Sequence, residues 1–245
     1  MKILALDTAT ENCSAALLTD TGVTAREARL TRGHAEQILR MVAEVLGEAG
    51  VSLAQLTALA FGRGPGAFTG VRLAASISQG LAFGADLPVV PVSDLRALAQ
   101  RVLTVSPEAR TVLVCNDARM REVYWGAFAR GTDGLAMAVL EESVGPPAAV
   151  TLPAAWKGAG VHGAGSGFAA YPELEAKLTA LGGRVWGQLL PRAEEIARLA
   201  AAEVLAGRQV SPDEAVPVYL RDDVARPAAL EPVSPGPVTK PRLLS

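Results

Sequence analysis

The sequence predicts an α/β protein made of two similar units, each a mixed β-sheet covered by helices. The first hundred residues contain three strand patterns followed by helices that alternate with strands, and the same order starts again at Thr111. Glycine-rich segments occupy matching strand-to-helix positions at 62–68 and 162–168. Hairpin-joined strands followed by alternating helices and strands form mixed sheets with helical layers. Residue identity between the halves is low, so the duplication is inferred from element order.

The first three strands form two consecutive hairpins in this interpretation. Residues 2–6 are a short apolar run that ends at Asp7, which is typical of a buried strand. A second run covers 13–18, and the turn signal at 20–22 separates it from a third over 23–30.

The apolar spacing then changes to that of a helix over 35–49. Gly33 can serve as its N-cap, and Gly50 lies where the helix would stop. The rest of this half alternates strands with helices: strands at 57–61 and 89–92, a helix at 68–83, and a helix that Ser93 or Asp94 caps and that ends near Leu103.

The second half repeats this order with weaker signals. We predict strands at 111–115, 122–129, 135–140 and 158–161, and helices at 168–181 and 193–205. The predicted organisation is a first lobe over 1–107, a second lobe over 108–222, and a flexible, proline-rich tail over 223–245.

Composition excludes several classes of protein. The chain has 23 Lys and Arg against 25 Asp and Glu, a formal charge of -2, which argues against a large surface that neutralises nucleic-acid phosphates. Two cysteines cannot build a disulfide scaffold, and the apolar run 3–6 is too short for a signal peptide. No apolar run has the length that crosses a bilayer, so we expect a cytoplasmic protein without membrane contact.

The segment from Gly62 to Arg72 is the most informative motif. Its glycines permit close backbone approach, and a helix that begins at Phe68 would direct unpaired N–H groups at an anion. The alternative is a tight strand-to-helix connection with no ligand. The segment has neither the lysine of a P-loop nor the glycine spacing of a dinucleotide site.

Nucleophilic catalysis finds no support in the sequence. Ser166 lies in a G-x-G-S-G segment, which does not have the spacing of a nucleophile elbow. Cys13 and Cys115 lie in apolar strands, where we expect inert core thiols.

Four motifs occur in register along the chain: DTAT at 7–10, GPGAFTGVR at 64–72, DARMREVY at 117–124 and PVYLR at 217–221. Together they resemble the TsaB (YeaZ) family of bacterial threonylcarbamoyladenosine synthesis on tRNA, over roughly residues 1–222. The resemblance implies a two-lobed, duplicated ribonuclease H-like fold of the acetate kinase, sugar kinase, Hsp70 and actin type.

The resemblance also implies a non-catalytic role. TsaB proteins pair with their paralogue TsaD, the enzyme that transfers threonylcarbamoyl to the adenosine beside the anticodon, and the small ATPase TsaE joins them. It further implies that the chain forms a homodimer when alone and meets tRNA only through the complex.

The histidines support that interpretation. TsaD-like proteins carry two histidines four residues apart on the first helix, where both imidazoles reach one metal ion. Here Ile38 stands four residues after His34, and His162 lies far along the chain, so we expect no metal and structural roles for both histidines.

The phosphate positions are altered as well. In nucleotide-binding members of this superfamily, a glycine in each first hairpin lets backbone N–H groups approach phosphates. Ala9 and Ala118 stand there, so we regard Asp7, Thr8 and Asp117 as vestigial phosphate-loop residues and expect no cofactor. Asp7 can either hold a magnesium-bound water or bond the N–H groups of its own turn.

The partner surface is carried over from the family, in which the first two helices form a bundle with TsaD. The predicted contact residues are His34, Ile38, Met41, Val45, Val71, Arg72, Ala75, Ser76 and Gln79. The alternative is that these side chains pack on their own sheet.

A second functional hypothesis is an ATP- or metal-dependent transferase or kinase of the same fold that acts alone. Asp7 and the two glycine-rich loops motivate it. Binding of metal or ATP by the isolated chain separates it from the partner hypothesis.

Overall fold

The first sheet comes from the N-terminal half of the chain. Its strands are β1 (Ile3–Asp7), β2 (Asn12–Thr19), β3 (Gly22–Arg29), β4 (Ala58–Gly62) and β5 (Val89–Val92). In the computed structural model, which describes residues 1–156 and 160–221, they lie in the order β3-β2-β1-β4-β5. Hairpins make the first three strands antiparallel, whereas β4 and β5 arrive through helices and pair in parallel.

Helices α1 (His34–Ala49) and α2 (Phe68–Ala85) cover one face of this sheet. Apolar residues of both helices share a buried cluster with Leu6 and Phe61 of the central strands. Gly33 and Gly50 flank α1 with φ of 85° and 62°, so glycine at both positions permits the chain to enter and leave the helix in a left-handed conformation.

The second sheet comes from the C-terminal half. Its strands are β6 (Thr111–Arg119), β7 (Glu122–Arg130), β8 (Ala136–Ala138), β9 (Ser143–Gly145), β10 (His162–Ala164) and β11 (Val185–Trp186). The order is β11-β10-β6-β7-β8, with β9 also paired to β7. Its helices are α4 (Ser166–Ala170) and α5 (Pro172–Thr179).

The predicted duplication of sheets flanked by helices is confirmed. In each sheet the first strand pairs antiparallel with the strand that follows it and parallel with the strand that precedes the glycine-rich loop. Because the strand order is the same in both sheets, the two halves are copies of one topology despite their low residue identity.

Several predicted elements differ from the structure in the second half. The strand expected at 158–161 begins instead at His162, and 157–159 lie outside the described residues. The helix expected at 168–181 is divided at Tyr171, because a proline follows there and starts a new helix. The short strands β9 and β11 carry no sequence pattern long enough to detect.

Two helices exchange sheets. Helix α3 (Asp94–Val105) follows the first sheet in sequence but packs Leu98 and Val102 against Val112 and Phe128 of the second. Helix α6 (Ala193–Leu205) comes from the second half but packs on the first sheet through the cluster of Ile196, Leu199, Ala200, Ile3, Ala5 and Val90. The predicted boundary at 107/108 therefore divides the sheets but not the helices that cover them.

We call the first sheet with α1, α2 and α6 the first lobe, and the second sheet with α3, α4 and α5 the second lobe. The chain after α6 first follows the first lobe, where Val210 pairs with Val89 and the amide of Val218 donates to the carbonyl of Arg63. The predicted tail at 223–245 lies outside the described residues. Within the described parts of the chain, no helix combines the length and apolar character needed to cross a membrane.

Candidate functional site

A cleft of about 710 Å³ separates the two lobes. It lies where the equivalent ends of the two sheets face each other, and both glycine-rich loops reach it. Its walls come from the turn after β1, the loop before α2, the β6–β7 hairpin, α4 and the C-terminal segment. The residues that sequence reasoning assigned to phosphate binding are therefore near this cleft, but they do not share one environment.

The glycine-rich loop of the first lobe packs on the turn after β1. The amide of Ala67 donates to the carbonyl of Ala9 over 2.8 Å, and the Thr8 hydroxyl donates to the carbonyl of Gly70 over 2.6 Å. A Cβ on Gly70 would overlap the Thr8 carbonyl, and one on Gly66 would lie 2.8 Å from the Ala9 Cβ. These glycines are required for contact between two backbone segments, as in the ligand-free alternative.

Asp7 bonds its own turn. Its Oδ1 accepts the amide of Ala9 over 2.8 Å, and its side chain is fully buried, as Thr8 nearly is. Burial raises the pKa of Asp7 to about 6. Asp7 Oδ1 thus makes the turn hydrogen bond that one of the two alternatives above expects, and neither Asp7 nor Thr8 lines the cleft.

Asp117 does line the cleft, at the matching place in the second lobe. It accepts the amide of Arg119 over 2.9 Å and pairs with the same residue's guanidinium at 3.1 Å. Arg119, Met120 and Arg121 all have positive φ, so the hairpin tip bends sharply, and Arg119 and Met120 line the cleft. Of the three predicted phosphate-loop residues, only Asp117 faces the cleft.

The C-terminal strap, residues 216–221, crosses the mouth of the cleft. Tyr219 lies 5.7 Å from the ring of Phe68 and accepts Arg72 Nε over 2.7 Å, while the Arg72 guanidinium covers the Phe68 ring at 3.7 Å. Arg221 donates to the Ala118 carbonyl and forms an ion pair with Glu122. The strap thus connects α2 of one lobe to the hairpin of the other, a role that the PVYLR motif alone did not disclose.

The two histidines lie in different environments. His34 is half-buried, and its Nε2 donates to the carbonyl of Thr10 over 3.0 Å. His162 begins β10 rather than ending a strand, accepts the Arg184 amide and contacts the ring of Trp186. Within 1–156 and 160–221, no three His, Cys, Asp or Glu side chains are grouped closely enough to hold a metal ion.

Comparison with known proteins identifies the family. Residues 18–229 match the family described as "TsaD: tRNA N6-adenosine threonylcarbamoyltransferase". The chain is 42% identical to the tRNA threonylcarbamoyladenosine biosynthesis protein TsaB of Escherichia coli K12, over 92% of this chain and 96% of that protein. The chain belongs to the TsaB (YeaZ) family.

Relatives from other organisms support the same family assignment. TsaB of Haemophilus influenzae is 40% identical over 91% of this chain and 95% of its own. A Pseudomonas aeruginosa crystal structure, described as an uncharacterized protein with similarity to peptidase YEAZ, matches with a TM-score of 0.82 at 42% identity, covering 90% of this chain and 99% of that one.

The predicted partner surface of this TsaB-family chain needs correction at five positions. Ile38, Met41, Val45, Val71 and Ala75 are buried, and all but Val71 belong to the cluster between α1, α2 and the sheet. A side chain with almost no accessible area offers a partner nothing to contact, so the sheet-packing alternative applies at these five.

Four predicted contact residues remain, of which His34 is half-buried and the other three lie on α2. Arg72 and Ser76 are exposed, and Gln79 is half-exposed. They continue a stripe along α2 that starts at Phe68 and ends at Phe83, spaced three or four residues apart. Phe83 is 83% exposed, and Leu39 on the neighbouring α1 is 51% exposed. Sequence reasoning missed these two, although an apolar residue beside the core-facing row was the available signal.

The cysteine thiols are unsuited to nucleophilic chemistry. Cys13 and Cys115 are buried in the sheets. Burial raises the pKa of Cys13 to about 12 and raises that of Cys115 further still. Both thiols therefore stay protonated at neutral pH.

Proposed function

We propose that this chain takes part in threonylcarbamoyladenosine biosynthesis on tRNA as a non-catalytic partner of TsaD, together with TsaE. Family membership supports the pathway, because its relatives are named for that biosynthesis. The observation that carries the partner role is the exposed α2 stripe that ends at Phe83. Apolar side chains exposed along one helix are typical of an interface.

The surface chemistry supports a helical partner. The stripe combines aromatic residues at its ends, Phe68 and Phe83, with the small Ser76 between them. A partner helix can approach closely at the small residue while its side chains cover the exposed ring of Phe83. The same stripe offers a self-complementary contact, and we propose that it forms the homodimer when the chain is alone.

The cleft gives little support to catalysis by this chain alone. The amide of Ala67, at the start of α2, is bonded to the Ala9 carbonyl, and the Asp7 carboxylate is buried. The Arg119 side chain lies at the cleft edge and pairs with Asp117, the one of the three phosphate-loop candidates that faces the cleft. These groups are engaged with each other, which supports an accessory role.

Reconstitution tests the function. TsaD and TsaE with unmodified tRNA should form threonylcarbamoyladenosine slowly without this chain and rapidly with it, measured by nucleoside analysis. Equal rates with and without the chain rule out the partner role. Micromolar binding of Mg-ATP by the isolated chain in calorimetry favours the independent transferase or kinase instead.

The interface is tested by placing a charge on the stripe. Phe83→Asp should weaken binding to TsaD by about tenfold or more, because a carboxylate would be desolvated at the contact. Leu205→Asp is the matched control, since Leu205 is 78% exposed at the end of α6 on another surface. Equal binding by both variants removes α2 from the interface.

A second substitution locates the middle of the stripe. Ser76→Arg keeps the fold, because Ser76 is exposed, and should reduce co-purification with TsaD. The neighbouring Ala75 is unsuitable for this test because it is buried in the core of the lobe. Retention of full binding by Ser76→Arg shows that the contact lies elsewhere on the helix.

A further inference from the structure

Two carboxyl groups meet inside the molecule where the first sheet joins α3. Asp7 ends β1, Asp94 opens α3, and both side chains are 0% exposed. They converge beside Gly62, where a Cβ would overlap Oδ1 of Asp94 and lie 3.0 Å from Oδ1 of Asp7. The carboxyl pair fills the space that a side chain at position 62 would need.

Each carboxyl group has one bonded and one unbonded oxygen. Asp7 Oδ1 accepts the Ala9 amide over 2.8 Å, and Asp94 Oδ2 accepts the Gly64 amide over 2.5 Å. Asp7 Oδ2 and Asp94 Oδ1 are buried without a hydrogen-bond partner among the described residues. Two ionised groups in this arrangement would bury two like charges and two unsatisfied acceptors, which is costly.

No cation in the described residues compensates the pair directly. His34 of α1 acts electrostatically on Asp7, but it makes its hydrogen bond to the carbonyl of Thr10 and not to either carboxyl group. Glu142, which faces Asp94 from the segment before β9, adds negative charge and pairs with Arg63 at 3.2 Å. The thiol of Cys13 on β2 is neutral.

We propose that Asp7 and Asp94 share one proton in the folded protein at neutral pH, so that folding takes up a proton which the unfolded chain has lost. With the proton on Asp94, that group donates to Asp7, and one buried charge disappears. Burial raises the pKa of both groups, and the charge of Asp7 raises the pKa of Asp94 further. The shared proton thereby holds together β1, the glycine-rich loop and α3, which packs on the second sheet.

The sign of the pH effect follows from the raised pKa values. Below the ordinary aspartate pKa both the folded and the unfolded chain carry the proton, so proton uptake does not reduce the folding free energy. Above it the unfolded chain loses the proton while the folded chain keeps it, so rising pH disfavours folding. One retained proton lowers the folding equilibrium constant by up to about tenfold per pH unit. This continues until the folded pair itself ionises.

Asp94→Asn tests the proposal. The carboxamide oxygen of asparagine can accept the Gly64 amide, and its NH₂ group can donate to Asp7 in place of the carboxyl O–H. Urea unfolding of wild type and variant from pH 5 to 8 gives the ratio of their folding constants. We expect the ratio of variant to wild type to rise with pH, by about tenfold or more between pH 5 and 7. Asp86→Asn is the matched control: Asp86 is exposed in a left-handed helix cap that asparagine tolerates, and its ratio should stay constant.

A second measurement separates proton sharing from a simple effect of shape. Infrared spectra of the folded wild type at pH 7 should contain a protonated carboxyl band that Asp94→Asn lacks. A ratio of folding constants that does not change with pH, or folded wild-type protein without that band, overturns the proposal. Neither result depends on whether the chain binds TsaD.

Discussion

The two lobes have the same strand order but carry very different helices after their glycine-rich loops. In the first lobe the loop leads into α2, a helix of 18 residues, whereas in the second it leads into α4, which has 5. A helix of 5 residues buries little and displays little, so the long exposed stripe exists on the first lobe. The two lobes therefore share the topology of their sheets and differ in the helix that follows the glycine-rich loop.

The turns after the first strands differ in the same way. Asp7 is sealed under the glycine-rich loop of its lobe, while Asp117 faces the cleft and is bonded by the arginine at the hairpin tip. The loop glycines of the two lobes nevertheless make equivalent backbone contacts. Gly70 packs on the Thr8 carbonyl, and Gly167 packs on the carbonyl of Cys115. Close backbone contact is the feature that both lobes retain.

The largest expected loss of stability comes from replacing the glycines at which these loops contact backbone. Gly70→Ala should destabilise the protein by about 3 kcal/mol, because its Cβ overlaps backbone that cannot move aside. Gly167→Ala meets the Cys115 carbonyl at 2.8 Å and should cost about 2 kcal/mol. Urea unfolding measures both. Equal stability of Gly70→Ala and wild type would show that the loop of the first lobe can withdraw from its turn.

The strap that joins the lobes should contribute less to the free energy of unfolding than the loop glycines do. Arg221→Ala removes an ion pair with Glu122 and a bond to the Ala118 carbonyl, and we expect a loss of about 1.5 kcal/mol. Arg208→Ala is the control, because its guanidinium is 61% exposed in its pair with Glu203 and should contribute under about 0.5 kcal/mol. Equal losses in the two variants would mean that the strap does not hold the lobes together.

The smallest expected change in stability is an increase. Gly80 lies inside α2 with open space around it, so Gly80→Ala should stabilise the protein by up to about 1 kcal/mol through helix propensity. A thermal melt measures the increase. If the variant is at least as stable as the wild type but no longer binds TsaD, the partner contact, and not the fold, requires the absence of a Cβ at position 80.

The sequence predicted the first half of the chain more accurately than the second half. Strands β1 to β5 and helices α1 to α3 lie within a few residues of their predicted bounds, because their apolar patterns are long and glycine or serine marks their ends. In the second half of the chain, two- and three-residue strands and a helix interrupted by Pro172 give patterns too short to resolve.

The candidate site was predicted in part. The motifs marked the turns and loops that border the cleft, and the family resemblance named Arg72 and Ser76, which are exposed on α2. The contact between Tyr219 and Phe68, and the meeting of Asp7 with Asp94, join residues more than eighty positions apart. Periodicity describes neighbours on one element and carries no signal for such pairs.

The amino-acid sequence by itself determined the duplicated α/β class, the family and the order of elements in the first half of the chain, because these depend on local apolar spacing and on short motifs. Only the tertiary structure decided which helix covers which sheet, which residues of α1 and α2 face outward, and which carboxylate faces the cleft. The physical reason is that burial is a property of the packed chain: α3 and α6 bury their apolar faces wherever a sheet offers complementary area, and sequence position does not specify which sheet that is.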